Sequence, residues 1–195
     1  MDFFDLVRTG TPQDVQVAIS NGSDMNARNS YDTTPLMLAA EFNPNSEVIT
    51  TLLFAGAEVN ARDADETTPL MFAARYNQNP EVITTLLFAD AEVNARDTDE
   101  TTPLMLAAKD NEKPEVITTL LKAGADIEAR DELGWTPLTY AAKENQNPEV
   151  IMKLLNAGAD AKAKSSAGKT AFDYAQGNEK LKGTDAYRQL QQASQ

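Results

Sequence analysis

Thr68-Pro69-Leu70-Met71-Phe72-Ala73-Ala74-Arg75-Tyr76-Asn77-Gln78-Asn79-Pro80-Glu81-Val82-Ile83-Thr84-Thr85-Leu86-Leu87-Phe88-Ala89-Asp90-Ala91 holds two helix starts, a stop between them and an exit. Thr68 can cap a helix and Pro69 suits its first position, so Leu70–Tyr76 reads as a short first helix. Ala73 and Ala74 let another helix approach closely. Asn77 reads as a left-handed stop, since asparagine tolerates positive φ. Asn79 caps a second helix, Pro80 opens it and Glu81 complements the macrodipole. Val82, Ile83, Leu86 and Leu87 carry the helical apolar spacing. The segment from Glu92 to Thr101 leaves room for an extended finger and a tight turn.

This unit recurs. Thr34-Pro35-Leu36, Thr68-Pro69-Leu70, Thr102-Pro103-Leu104 and Thr136-Pro137-Leu138 are spaced by 34 residues, and Thr170-Ala171-Phe172 keeps the step. Ser46-Glu47-Val48-Ile49, Pro80-Glu81-Val82-Ile83, Pro114-Glu115-Val116-Ile117 and Pro148-Glu149-Val150-Ile151 travel in phase with them. A fixed period of this size predicts a repeat solenoid in which each unit contacts only its neighbours, and two helices per unit make it all-α. The expected frame is one domain over 1–195: an N-terminal cap at 1–29, internal repeats at 30–63, 64–97, 98–131 and 132–165, and a C-terminal cap at 166–195. The first cap is expected to have a shortened second helix, and the last to end in a polar helix from Asp185 to Gln192.

The Thr-Pro-Leu start, the helix–turn–helix–finger order and the exits Ala123-Gly124-Ala125-Asp126 and Ala157-Gly158-Ala159-Asp160 strongly resemble the ankyrin repeat, over nearly the whole chain. A tetratricopeptide array has a similar period but no Thr-Pro-Leu start and no finger. The Asn-Pro-Glu-Val-Ile loop is similar to arrays common in bacteria. The family's unit is about 33 residues, and here the extra residue falls between the two helices. Asn43, Asn77, Asn111 and Asn145 stand where that loop usually has glycine. Met37, Met71 and Met105 replace the family's histidine, which implies loss of its hydrogen bond. Asp90 replaces the exit glycine, and Glu66 and Glu100 replace a turn glycine that Gly134 and Gly168 retain; both substitutions put local backbone geometry in question.

The resemblance implies short β-hairpin-like fingers that form, with the first helices, a concave face meeting partners. On that face the columns differing most between repeats are candidates for binding: Tyr31, Asp65, Glu66, Asp99, Glu100, Leu133 and Trp135 on the fingers, and Phe42, Arg75, Tyr76, Lys109 and Lys143 at the helix ends. Tyr31, Phe42, Tyr76 and Trp135 are either contact anchors or, some of them, packing between adjacent fingers. Trp135 is the leading candidate, because its column is threonine in three other repeats. Two readings of the acidic finger residues stand. They form a docking surface for a basic partner, or Asp63, Asp97 and Asp131 cap their own turns while Arg28, Arg62, Arg96, Arg130 and Lys164 neutralise the rest. Phe54 and Phe88 form either an apolar convex patch that favours self-association or a packing contact with the next repeat.

The sequence contains no histidine and no cysteine, which removes the commonest general base, the commonest metal ligand and any disulfide. Gly168-Lys169-Thr170 lacks the upstream glycines of a phosphate loop and falls on a finger. Asp65 and Glu66 lack the spacing of a dedicated calcium loop. The expectation is therefore a non-enzymatic protein-binding module with no cofactor and no metal. The alternative is a self-associating structural or regulatory, inhibitory subunit. A net charge of −13 argues against nucleic acid and anionic membrane as partners and fits a protein with a basic surface, bound by a monomer or weakly associating chain. No apolar run approaches the about 18 residues of a membrane span. Met1-Asp2-Phe3-Phe4 carries no signal-peptide pattern, so the expected location is cytoplasmic.

Overall fold

A computed structural model describes residues 2–195; Met1, the first residue of the expected N-terminal cap, lies outside the described residues. Twelve helices follow in pairs: α1 (Phe3–Thr9), α2 (Pro12–Ser20), α3 (Pro35–Phe42), α4 (Ser46–Phe54), α5 (Pro69–Tyr76), α6 (Pro80–Phe88), α7 (Pro103–Asp110), α8 (Pro114–Lys122), α9 (Pro137–Glu144), α10 (Pro148–Asn156), α11 (Ala171–Ala175) and α12 (Asp185–Ala193). Odd-numbered helices stack on one another to form an inner layer, and even-numbered helices form the outer layer. The helix starts follow the local signals. Thr34, Thr68, Thr102, Thr136 and Thr170 each accept a hydrogen bond from the backbone N–H three residues on. Contrary to expectation, α2 is not shortened: it has nine residues, as α4 does.

Burial explains the layering. Ala39, Ala40, Ala73, Ala74, Ala107, Ala108, Ala141 and Ala142 are fully buried, so inner helices meet backbone to backbone. Ile49, Leu52, Ile83, Leu86, Ile117, Leu120, Ile151 and Leu154 fill the space between the layers. At about 1.5–3 kcal/mol per buried aliphatic side chain, this continuous apolar seam dominates the stability of the stack.

The asparagine column corrects the sequence reading. Asn43, Asn77, Asn111 and Asn145 have φ between −70° and −90°, not left-handed backbone. They are buried, and their side chains join repeats. Asn77 Nδ2 donates to the carbonyls of Ala40 and Asn43, both at 2.9 Å, while its Oδ1 accepts from Asn79 N–H at 3.0 Å. Asn111 and Asn145 repeat the pattern one step on, and Asn178 extends it. Glycine could not do this. An unpaired buried amide costs about 1–3 kcal/mol, so the column is fixed by tertiary pairing rather than by turn propensity.

The methionines also keep more than their volume. Met37, Met71 and Met105 Sδ lie 3.3, 3.4 and 3.5 Å from the N–H of Thr34, Thr68 and Thr102, a weak form of the hydrogen bond expected to be lost.

The fingers are closed turns. Asp63 N–H donates to Thr67 O and Glu66 N–H to Asp63 O, and residues 97–101, 131–135 and 165–169 repeat this pattern. Among the described residues the single β-bridge joins Lys164 and Thr170. Asp32, Glu66 and Glu100 take φ of 59°, 62° and 62°, matching 71° and 73° at Gly134 and Gly168. The geometry in question is thus preserved, with left-handed strain of about 1–2 kcal/mol at each non-glycine residue. Asp90 likewise adopts φ 63° at its exit turn.

Candidate functional site

Fingers and inner helices share one face: Asp65 and Thr67 line a common cavity with Phe72, Arg75 and Tyr76. The finger carboxylates divide into two roles. Asp63, Asp97 and Asp131 hold their own turns, each Oδ1 accepting two backbone N–H groups; for Asp97 these come from Asp99 and Thr101 at 3.0 and 2.8 Å. Burial nonetheless holds the Asp97 carboxyl above its usual range, with those turn donors opposing the rise. Asp65 and Asp99 are exposed at the tips. Glu66 and Glu100 pair with Arg62 and Arg96 at 3.1 and 3.0 Å.

The basic column bridges repeats as well as neutralising them. Nη1 of Arg28, Arg62, Arg96 and Arg130 donates to the carbonyl of the residue 34 positions on, at 2.7–3.0 Å. Much of the apparent acidic ladder is therefore turn chemistry and paired charge, and the tips are what remains free.

The aromatic candidates separate by exposure. Tyr31 is 76% exposed, Leu133 is also exposed at the same column position three repeats on, and Phe42 and Tyr76 stand at the ends of α3 and α5. Arg8 lies 4.1 Å over Phe42, and Arg75 lies 4.9 Å over Tyr76 while its Nε pairs with Asp110 at 2.6 Å. Burial raises the Tyr76 phenol above its usual range. Trp135, the leading candidate, is half-buried. Its ring packs 5.2 Å from Tyr140 and 5.0 Å from Tyr174, and Lys143 Nζ covers it at 4.4 Å. Lys109 Nζ sits 5.8 Å over Tyr140. The side chain packs between neighbouring repeats, so its substitution would disturb the seam as well as any binding surface.

Sequence reading missed the tyrosines nine positions after the first residue of the last two fingers. Tyr140 OH donates to Asp131 Oδ2 at 2.7 Å, and Tyr174 OH meets Ser165 Oγ at 3.0 Å. Burial first, then the bond to Asp131, pushes the Tyr140 phenol far up. The signal was present in the 34-residue columns, where Leu38, Phe72, Leu106, Tyr140 and Tyr174 align.

On the outer layer Phe54 and Phe88 are 89% and 87% exposed, not packed on the next repeat. Together with Thr50, Leu53, Thr85 and Ala89 they line a shallow apolar cleft of about 490 Å³. Gly168-Lys169-Thr170 closes a finger and caps α11. Among the described residues no three His, Cys, Asp or Glu side chains converge as a metal set, and no helix is long and apolar enough to cross a membrane.

The family model for ankyrin repeats matches three times, over residues 3–97, 70–165 and 104–183. No curated protein sequence matches the chain significantly. Ankyrin repeats are in general protein–protein interaction modules, typically without catalytic activity. With matches that span most of its length, laid over the helix pairs and fingers described above, the chain belongs to the ankyrin-repeat family.

Proposed function

We propose that this chain is a non-enzymatic module that binds a partner protein through its fingers and inner helices, with 1–29 and 166–195 as caps on the repeats between. The carrying observation is the exposed apolar and acidic surface on that face: Tyr31, Leu133, Phe42 and Tyr76 open to solvent on a face that also carries Asp65 and Asp99. Exposed aromatics supply contact area at low entropic cost, and acidic tips steer a partner with a basic surface. A standard interface buries about 1,200–2,000 Å², enough to engage several adjacent repeats. The reading fits a cytoplasmic chain that needs no cofactor, nucleic acid or membrane.

The test is capture from lysate with the native chain, a Tyr31→Ala/Tyr76→Ala/Leu133→Ala variant and a Phe54→Lys/Phe88→Lys variant. Trp135 is left intact because of its packing role. A protein retained by the native chain and the outer-layer variant, but lost by the first variant, supports the reading. Equal loss from both variants overturns it. The exposed Phe54 and Phe88 favour a second reading, a self-associating structural or inhibitory subunit. Sedimentation showing a mass that rises with concentration and falls in Phe54→Lys/Phe88→Lys would support it.

A further inference from the structure

The seam between consecutive repeats on the finger side is filled in one place and open in another. Tyr140 occupies the step between the third and fourth fingers. Its hydroxyl bonds Asp131, Lys109 lies over its ring, and Asp97 and Thr101 act on its phenol. One repeat earlier, the counterparts of those four residues are Asp97, Arg75, Asp63 and Thr67, and the counterpart of Tyr140 is Leu106. All five line a cavity of about 150 Å³, together with Asp65, Met71, Phe72 and Tyr76. The leucine is too short to fill the space that the tyrosine fills next door. It also brings no donor to the aspartates.

We propose that this cavity receives one arginine side chain from a bound partner, its guanidinium placed between Asp63, Asp65 and Asp97 where the next repeat holds a phenol. The inference rests on the binding reading of this face. The chemistry is complementary on each side. Met71, Phe72 and Leu106 offer an apolar bed to the methylene stem, and a cavity of similar volume holds a benzene-sized planar group. The carboxylates supply acceptors for a fork of five donors that is less hydrated than an ammonium and stacks on aromatic faces. Arg75, the cation in the lining, is held by Asp110 through its Nε at 2.6 Å, which offsets part of its charge. Burial that disfavours a lone Asp97 carboxylate makes a cation there more welcome.

The test is NMR titration of the full chain with the peptide acetyl-Gly-Gly-Arg-Gly-Gly-amide and its neutral citrulline counterpart. The expected result is saturable shifts at the Thr67, Met71 and Leu106 amides with the arginine peptide, and none with citrulline. Leu106→Tyr, which copies the neighbouring repeat, abolishes the shifts while retaining the native melting profile. Asp97→Asn, which keeps the turn acceptor, weakens binding about tenfold, the loss of one charge-assisted bond. Absent shifts, equal shifts with citrulline, or shifts surviving in Leu106→Tyr each overturn the proposal. A partner captured on this face that binds Leu106→Tyr as well as the native chain would remove the arginine site and leave the binding reading standing.

Discussion

Residues 64–131 and residues 132–175 use one backbone and solve the same two local problems differently. The later region puts Gly134 and Gly168 at the left-handed turn position and Tyr140 and Tyr174 against the finger base, with Trp135 between the rings. The earlier region puts Glu66 and Glu100 at the same φ and Phe72 and Leu106 at the aromatic position. Relaxed turns and a sealed seam lie at one end, strained turns and an open cavity in the middle. Because each repeat contacts only its neighbours, such differences stay local, and the middle can carry a binding site without loosening the end. Single substitutions can test that separation.

The largest effect should come from the sealed seam. A fully buried Trp→Ala costs about 3–5 kcal/mol, so half-buried Trp135→Ala should lose about 2–3 kcal/mol in urea unfolding. Exposed Tyr76→Ala in the earlier region should lose less than about 1 kcal/mol. Far-UV circular dichroism is the probe, since Trp135 is the sole tryptophan. Equal losses would dissolve the contrast. Next, Tyr140→Phe removes only a hydroxyl, yet it strips a hydrogen bond from Asp131 in a buried setting and should lose about 1–2 kcal/mol. If Asp131→Asn in the Tyr140→Phe background costs as much as in the native chain, the two residues are not coupled.

Glu66→Gly and Glu100→Gly should act in the opposite direction. Left-handed strain of about 1–2 kcal/mol is relieved, against an exposed ion pair worth about 0–1 kcal/mol, for a net gain of about 0.5–1 kcal/mol each. Asp90→Gly, whose column is otherwise Gly56, Gly124 and Gly158, should gain about 1 kcal/mol. The reciprocal changes sharpen the point. Gly168→Ala meets open space and carries backbone strain alone, whereas a Cβ on Gly134 would sit 3.0 Å from Ser166 N, so Gly134→Ala should melt lower. Matching melting points for the two alanine variants would show that the finger-to-finger bond from Ser166 N–H to Leu133 O yields freely.

The architecture was legible because the inner helices of the four internal repeats are announced locally: a threonine cap, a proline at the first position and a 34-residue period survive in each. The face carrying the candidates came instead from the resemblance to the family. What escaped were interactions between repeats. Asn77 looks like a turn residue on its own, and only the carbonyls of Ala40 and Asn43 reveal its role. Trp135 reads from sequence either as an anchor or as packing between fingers, and only Tyr140 and Tyr174 on its two sides decide. Phe54 and Phe88 read either as a convex patch or as packing on the next repeat, and only their exposure decides for the patch. Column identity shows that a residue matters to the stack, but whether it faces inward or outward depends on the repeat beside it.

The smallest effect, and the one most diagnostic of the contrast, is a difference in sign with pH. In the open region burial raises the Asp97 pKa, so its folded value lies above the about 3.9 of an unfolded aspartate. The folded chain then binds the extra proton, and the contribution of this group falls as pH rises from about 4 through the folded pKa. In the later region Asp173 is exposed at the third position of α11. The Thr170 backbone N–H, then its hydroxyl, hold its pKa below the usual value. Its contribution is present above the unfolded pKa and is lost as pH falls through the folded one. Asparagine fixes each site in a neutral state. Relative to the native chain, Asp97→Asn should therefore gain in melting temperature as pH rises above about 4, while Asp173→Asn should fall behind as pH rises towards about 4 from below. Should Asp97→Asn instead fall behind as pH rises, the charged turn bonds from Asp99 and Thr101 outweigh burial there. The middle seam would then be as well satisfied as the end one.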